Sequence, residues 1–304
     1  MSAHKTTLLA TAKLFVTAAI WASTYVLARI LVREIGPISL GGLRFFSAGL
    51  FLVIYLKHRK FDFSTLKGHW FKLCALGVLS FSIGNGCTYF ALQSLPSTTV
   101  SFLTSFVTPL VLIMGITWLR EIPGILQVCG IVIALAGTAL YFYPQQIPVS
   151  DPGFFVLAIG ILGFAGYTTL GRSMARDRQV HFLAQTAFPL LFGGGVTLIL
   201  GLAVEGIPVI SPQAGGILLW MILVNTLLGY ILYNQAIMHL KAIQVNMILN
   251  LSPFFTAMIA FFALHETLSP LQSAAMLIVF IGTLLVQIAP DQLTKIAGVW
   301  PVKR

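Results

Sequence analysis

Charge is scarce in this sequence. Asp, Glu, Lys and Arg supply only 9% of the 304 residues, whereas an average soluble domain carries about 25%. Hydrophobic residues make up 58%, and the mean hydropathy is +0.94. A water-soluble globule must present much of its surface to solvent and cannot hide that excess. The same numbers are the reverse of a disordered composition. Cysteine is nearly absent too. Cys74, Cys87 and Cys129 all fall in apolar runs, with no CxxC or Cys/His spacing. That removes a disulfide framework and a zinc site, and the three read as small buried hydrophobes. HExxH and GxSxG are missing, and no acid pair falls inside an apolar run. An intramembrane enzyme would need such groups, so neither catalysis nor a cofactor is expected.

What is present is a series of long apolar runs. A spanning helix needs about 20 mostly apolar residues, because the hydrocarbon core is about 30 Å thick. The sequence gives ten such runs: 12–32, 38–56, 71–92, 97–119, 123–143, 153–172, 182–203, 216–238, 242–263 and 270–289. Gly, Pro or charged residues stand at the joints. Outer-membrane β-strands alternate in segments of about ten residues, and these runs do not alternate. The first run leads straight into further runs and reads as an uncleaved first helix.

Loop charge orients the chain. With the N-terminus in the cytoplasm, fifteen of the 18 Lys and Arg residues fall on the cytoplasmic side. Arg29 and Arg33 fall outside, and Arg44 lies within the second span. The positive-inside rule then places both termini inside. The net charge of +10 is accounted for as topology, and no nucleic-acid partner is implied.

An internal repeat sets the architecture. Leu119-Arg-Glu-Ile-Pro-Gly-Ile-Leu-Gln127 matches Leu264-His-Glu-Thr-Leu-Ser-Pro-Leu-Gln272 at an offset of 145. The same offset joins Glu121 to Glu266, Gly137-Thr138 to Gly282-Thr283, and Leu140 to Leu285. Each half holds five spans, an odd number, so the second half enters the membrane upside down. The expected fold is an all-α membrane protein of ten transmembrane helices in two inverted five-helix repeats. The repeats cover 1–146 and 147–290, with a cytoplasmic tail at 291–304. Inverted repeats are a mark of secondary transporters, with the substrate site near the midplane.

The chain resembles the EamA-like family of the drug/metabolite transporter superfamily. The resemblance covers almost the whole length. It rests on Trp21-Ala-Ser-Thr-Tyr-Val-Leu-Ala-Arg29, on Leu43-Arg44-Phe-Phe, and on the twin helix ends at Glu121 and Glu266. It implies a multi-pass permease of the bacterial inner membrane that exports small metabolites, amino acids or their derivatives first. A nucleoside or a drug is the alternative cargo. Its partners would be a small-molecule substrate and the bilayer, and one chain suffices. Ala275 stands opposite Gly130, and Pro270 does not align with Pro123. These departures leave the fold expectation intact.

Polar residues inside spans face a bundle interior or a cavity, because hydrocarbon cannot satisfy them. The offset pairs Asn85 with Tyr230, Tyr89 with Asn234, Ser101 with Asn246, and Ser105 with Asn250. Within each helix the two members are spaced i, i+4 and share one face. These eight are the expected cavity walls. Trp21, Tyr25, Tyr167 and Tyr233 add aromatic faces near them. Interhelical hydrogen bonding is the competing reading for any one of these residues. Trp220 and Trp300 read as interfacial belt residues.

Arg44 is the one basic residue well inside a span. It could attract an anionic group, snorkel to an interface, or cap backbone carbonyls; its recurrence across the family favours a structural role. Glu121 and Glu266 precede apolar helices at their first turns, where the helix dipole favours a carboxylate. A cap is preferred there over a proton carrier. Glu34, Asp62, Asp151, Asp177, Glu205 and Asp291 lie in loops or at ends, and the six histidines also avoid span centres. Proton coupling usually needs an intramembrane relay, so the expectation is a facilitator, or coupling through an unobvious group. Pro109, Pro189 and Pro253 fall inside spans and are hinge candidates or fixed kinks. Gly84-Asn85-Gly86 and Gly193-Gly194-Gly195 are expected to loosen their spans. Gly130, Ala134 and Gly137 should permit close packing. A channel would present a selectivity ring and gives no reason for inverted halves.

Overall fold

The computed structural model describes residues 3–120, 123–143, 151–176, 180–266 and 269–287. Glu121, Asp177, Arg178, Trp300 and the 291–304 tail lie outside them. The described residues form helices α1 (Ala3–Leu31), α2 (Pro37–His58), α3 (Trp70–Ala91), α4 (Ser97–Leu119) and α5 (Ile125–Tyr141). These are followed by α6 (Pro152–Arg176), α7 (Phe182–Val204) and α8 (Pro212–Ile237). The series ends with α9 (Ala242–Leu249 continued by Ser252–Leu264) and α10 (Pro270–Gln287). No strand occurs among the described residues. Eight of the helices, α1 to α4 and α6 to α9, are long and apolar enough to cross a bilayer. Helices α5 and α10 are apolar but contribute shorter qualifying segments. The protein is a multi-pass membrane protein.

Local chemistry sets the helix boundaries. Proline begins α2, α6, α8 and α10, where its missing N–H is harmless and its φ suits the first turn. The Ser211 hydroxyl accepts from Ala214 N at 3.2 Å, so α8 starts at Pro212, ahead of the expected residue 216. Helix α1 begins at Ala3, well before residue 12, because its Ala, Leu and Lys residues are good helix formers even where hydropathy is low.

The 145-residue offset recurs in backbone conformation. Helix α4 ends at left-handed Arg120 (φ 54°) and α9 at left-handed His265 (φ 56°). Gln127 Oε1 accepts from Gly124 N at 3.0 Å, and Gln272 Oε1 accepts from Ser269 N at 2.8 Å. Two spans widen into π-helix at overlapping positions, Val78–Gly84 in α3 and Met221–Leu228 in α8. Two others break at matching points, at a 3-10 turn over Thr104–Phe106 in α4 and at Asn250–Leu251 in α9.

Glycines bring helix backbones into contact at several seams. A Cβ on Gly282 would lie 2.5 Å from Gly130 O and 2.6 Å from Ala134 N, joining α10 to α5. A Cβ on Gly194 would collide with the Phe46 backbone, joining α7 to α2. Gly193 meets Gly77 of α3 in the same way. Gly193 and Gly194 therefore pack neighbouring helices tightly, where loosening was expected. Pro189 does not interrupt α7, which runs continuously from Phe182 to Val204. The cysteines also depart from expectation. Cys74 and Cys129 are exposed on the bundle surface and Cys87 is half-buried, because an apolar residue of a membrane span can face lipid as readily as the interior.

At one end of the bundle, acids join residues before 147 to residues after it. Glu34 accepts from Ser211 N at 2.6 Å, and Asp151 from Ser94 Oγ at 2.8 Å. Glu205 accepts from Ile38 N at 3.0 Å and Ser39 N at 2.8 Å, capping α2. Glu266 accepts from Arg29 Nη1, Ser97 Oγ and Thr98 Oγ1, each at 2.9 Å. Glu266 thus caps α4. The expected cap on its own following helix falls instead to Ser269, whose hydroxyl accepts from Gln272 N at 3.2 Å.

Candidate functional site

A cavity of about 120 Å³ lies between α1, α2, α3, α4, α6, α8 and α9. Helices α5, α7 and α10 take no part in its wall. The lining follows from the helix breaks. In the widened turn of α3, Asn85 Nδ2 donates to Ser80 O at 2.9 Å, five residues back. In α8, Thr226 Oγ1 donates to Met221 O at 2.9 Å, again five back. Wide turns leave carbonyls that side chains must satisfy, and π-bulges recur at functional sites. Proline explains the other two breaks. Pro109 cannot donate to Ser105 O nor Pro253 to Leu249 O, and α4 and α9 lose regular helix beside those positions.

The structure brings nearly all the expected wall residues together. Trp21, Tyr25, Asn85, Tyr89, Ser101 and Ser105 border the cavity from residues before 147. Tyr167, Tyr230, Tyr233, Asn246 and Asn250 border it from residues after 147, and Pro253 joins them. The offset partners Asn85 and Tyr230 meet, with Asn85 Nδ2 3.5 Å from Tyr230 Oη. Asn250 Nδ2 donates to Thr108 Oγ1 at 2.8 Å, and Ser101 Oγ lies 3.2 Å from Thr256 Oγ1. Both bonds tie α4 to α9. The Ser105 hydroxyl is buried at the wall and finds no partner among the described residues.

Asn234 is the exception. It does not line the cavity. Its Nδ2 donates to Tyr230 O and to Thr186 Oγ1 of α7, both at 3.0 Å. The short amide folds back on its own helix, whereas the longer Tyr89 at the equivalent position reaches across to Arg44. Sequence reasoning also missed Thr24, Ser80, Thr88, Thr104, Val107, Phe164, Thr168 and Ser252. The offset could have found some of them, because it pairs Thr88 with Tyr233, Thr104 with Leu249, and Val107 with Ser252.

One side of the cavity is aromatic. Trp21 stands 4.7 Å from Tyr230 and 5.4 Å from Tyr233, between ring centres. Tyr167 stacks on Tyr233 at 5.8 Å. Trp21 is fixed because its Nε1 donates to Asn225 O at 3.0 Å. Asn225 Nδ2 in turn donates to Ile20 O, Ser23 Oγ and Thr24 Oγ1. Tyr25 Oη lies 3.1 Å from Thr104 Oγ1. The other side holds Arg44, which is 1% exposed and borders the cavity. It neither snorkels nor caps a carbonyl. Its Nε donates to Thr226 Oγ1 at 2.6 Å and its Nη1 donates to Tyr89 Oη. Among the described residues no Asp, Glu or His lines the cavity, and no three His, Cys, Asp or Glu cluster to hold a metal.

Known proteins share this sequence and fold. The EamA-like transporter family matches residues 8–143 and again 151–288. An uncharacterized transporter of Archaeoglobus fulgidus is 26% identical, over 83% of this chain and 88% of its own length. Protein PecM of Dickeya dadantii is 21% identical, over 90% of each chain. A protein of Chlamydia trachomatis named an S-adenosylmethionine/S-adenosylhomocysteine transporter is 22% identical, over 84% of this chain and 82% of its own. A crystal structure superposes with a TM-score of 0.76 at 16% identity, covering 93% of this chain and 98% of that one. The family's match in both stretches makes the chain a member of the EamA-like transporter family.

Proposed function

We propose that this protein exports small polar metabolites, amino acids or their derivatives first, across the bacterial inner membrane. It works by alternating access between two inverted five-helix repeats, 1–146 and 147–290, with both termini in the cytoplasm. The observation that carries this reading is the set of paired helix breaks. Helices α3 and α8, and α4 and α9, lose regular structure at positions about 145 residues apart; the breaks in α3, α4 and α9 border one cavity, and the break in α8 ends just before Tyr230 of its wall. Broken helices at a repeat interface are how secondary transporters build midplane sites. The cavity wall offers hydroxyls and amides, and among the described residues the Ser105 hydroxyl has no partner and no acid or histidine lines the wall. A proton relay through the membrane usually uses such groups, so we assign facilitated transport without proton coupling.

A second reading has support in the Chlamydia relative, whose name gives it a nucleoside-bearing cargo. The aromatic wall of Trp21, Tyr167, Tyr230 and Tyr233 would suit a stacked base as well as an apolar side chain. Counterflow in proteoliposomes separates these readings, using an amino-acid panel and an adenosine-based panel, each with and without a pH gradient. Saturable exchange of an amino-acid group, indifferent to the gradient, is expected. Exchange of adenosine-based solutes alone moves the assignment to the second reading. Acceleration by the gradient refutes the uncoupled mechanism.

A further inference from the structure

The guanidinium of Arg44 is a buried cation without a counter-charge among the described residues. The acids there are all committed at helix ends. Glu34 binds Ser211, Asp62 binds Ser64, Asp151 binds Ser94 and Gly153, Glu205 binds Ile38 and Ser39, and Glu266 binds Arg29, Ser97 and Thr98. Arg29–Glu266 is the one ion pair among the described residues. Among the described residues Arg44 has two hydrogen-bond acceptors, the hydroxyls of Tyr89 and Thr226, and its guanidinium carbon lies 4.9 Å from the centre of the Phe45 ring; all three partners are neutral.

An unpaired buried charge is costly, and removal of its partner typically destabilises a protein strongly. Ionisable groups inside a membrane therefore mark functional sites by default. The two hydroxyls do not neutralise Arg44; they aim it. Thr226 Oγ1 spends its own proton on Met221 O, so its oxygen is free to accept from Arg44 Nε. Tyr89 comes from α3 and Thr226 from the π-turn of α8, so groups on both sides of residue 147 hold the guanidinium. These contacts use two of its five N–H groups, and the others have no acceptor among the described residues. A planar fork of this kind binds a carboxylate with two parallel hydrogen bonds.

We infer that Arg44 is the specificity-determining residue of the cavity and receives the carboxylate of the cargo, while Trp21, Tyr230 and Tyr233 receive its apolar or cationic remainder. This rests on the transporter reading above and narrows its substrate class to carboxylate-bearing solutes. The arrangement accounts for the missing acids. An ammonium group of a zwitterion meets aromatic faces, which attract cations without binding them as a carboxylate would. A cation that lacks a carboxylate meets Arg44 unscreened and is repelled.

The test is counterflow in proteoliposomes, first with the unmodified protein. The probes are the amino acids, their carboxamides and decarboxylated amines, S-adenosylhomocysteine, and adenosine. Exchange of carboxylate-bearing probes, with at least about a hundredfold preference in KM over the matched amide, is expected from two charge-assisted hydrogen bonds. Exchange of S-adenosylhomocysteine without simple amino acids overturns the amino-acid reading and supports the carboxylate site. Exchange of amides, amines or adenosine as readily as acids overturns the carboxylate site. In Arg44→Gln the preference for acid over amide should collapse, and in Arg44→Lys it should be partly retained. Tyr89→Phe, which unpins the guanidinium and keeps its charge, should raise KM for acids severalfold and leave the amides unaffected. An Arg44→Gln protein that exchanges acids with unchanged KM refutes the assignment. The unmodified protein's acid-to-amide ratio decides the matter even where that variant does not insert.

Discussion

Replacing Gly194 with Ala separates rigid contact from ordinary helix packing. A Cβ there would lie 2.6 Å from Phe45 C and 2.8 Å from Phe46 Cα, both backbone atoms of α2. Neither atom can rotate away, so α2 and α7 must part by most of an ångström. A gap of that size forfeits a quarter to a half of each dispersion contact it opens. Overpacking typically costs about 1–3 kcal/mol, and two unyielding backbones put this case at about 3 kcal/mol. Alanine returns up to about 1 kcal/mol through its better helix propensity. The net loss is therefore about 2 kcal/mol. Gly216→Ala is the matched control. Gly216 lies in α8, is exposed, and a Cβ there meets nothing within 4 Å. That variant should be neutral or more stable by up to about 1 kcal/mol. Reversible unfolding in mixed micelles measures both. Equal stability of the two variants would refute the idea that α2 and α7 touch through their backbones.

Asn234→Ala should lower stability by about 1–2 kcal/mol, through loss of its bonds to Thr186 and Tyr230, and leave KM unchanged; Asn246→Ala, at the cavity wall, should change KM in the same counterflow assay. Exchange should have the same rate at pH 6 as at pH 8, because no acid or histidine among the described residues faces the cavity; a titration of the rate between those values would reveal a group that the wall does not show. Asn225→Ala removes three donor contacts to α1 around Trp21 and loosens that helix at the cavity wall, while the backbone carbonyl that accepts from the Trp21 indole is kept. It should raise KM several-fold, and quenching of tryptophan fluorescence by a soluble quencher should increase.

Much of this architecture is legible in the sequence because a membrane simplifies the problem. Hydrocarbon demands helices of a set length with their backbone groups satisfied, so apolar runs locate the helices to within a few residues, apart from the start of α1. The repeat places polar residues at matched positions, and Asn85, Ser101, Asn246 and Asn250 duly meet at one cavity. What hides is phase and reach. Nothing in Val78–Gly84 or Met221–Leu228 announces a π-turn, since neither stretch contains proline. Asn234 shares a face with Tyr230 by spacing, yet its short amide is taken by Thr186 before it reaches the cavity. The partners of Glu266 were hidden for a different reason. Arg29, Ser97 and Thr98 are more than 160 residues away in sequence, and no local pattern links them to the carboxylate.

The Glu266 clasp has a consequence for motion at its end of the bundle. One carboxylate, on a side chain 16% exposed, takes Arg29 of α1 together with the Ser97 and Thr98 hydroxyls at the start of α4. Two hydroxyl bonds of this kind are together worth about 2 kcal/mol, or roughly a thirtyfold change in an equilibrium constant. Any movement that draws the start of α4 away from the end of α9 must break them, so opening at this end is opposed by about that amount.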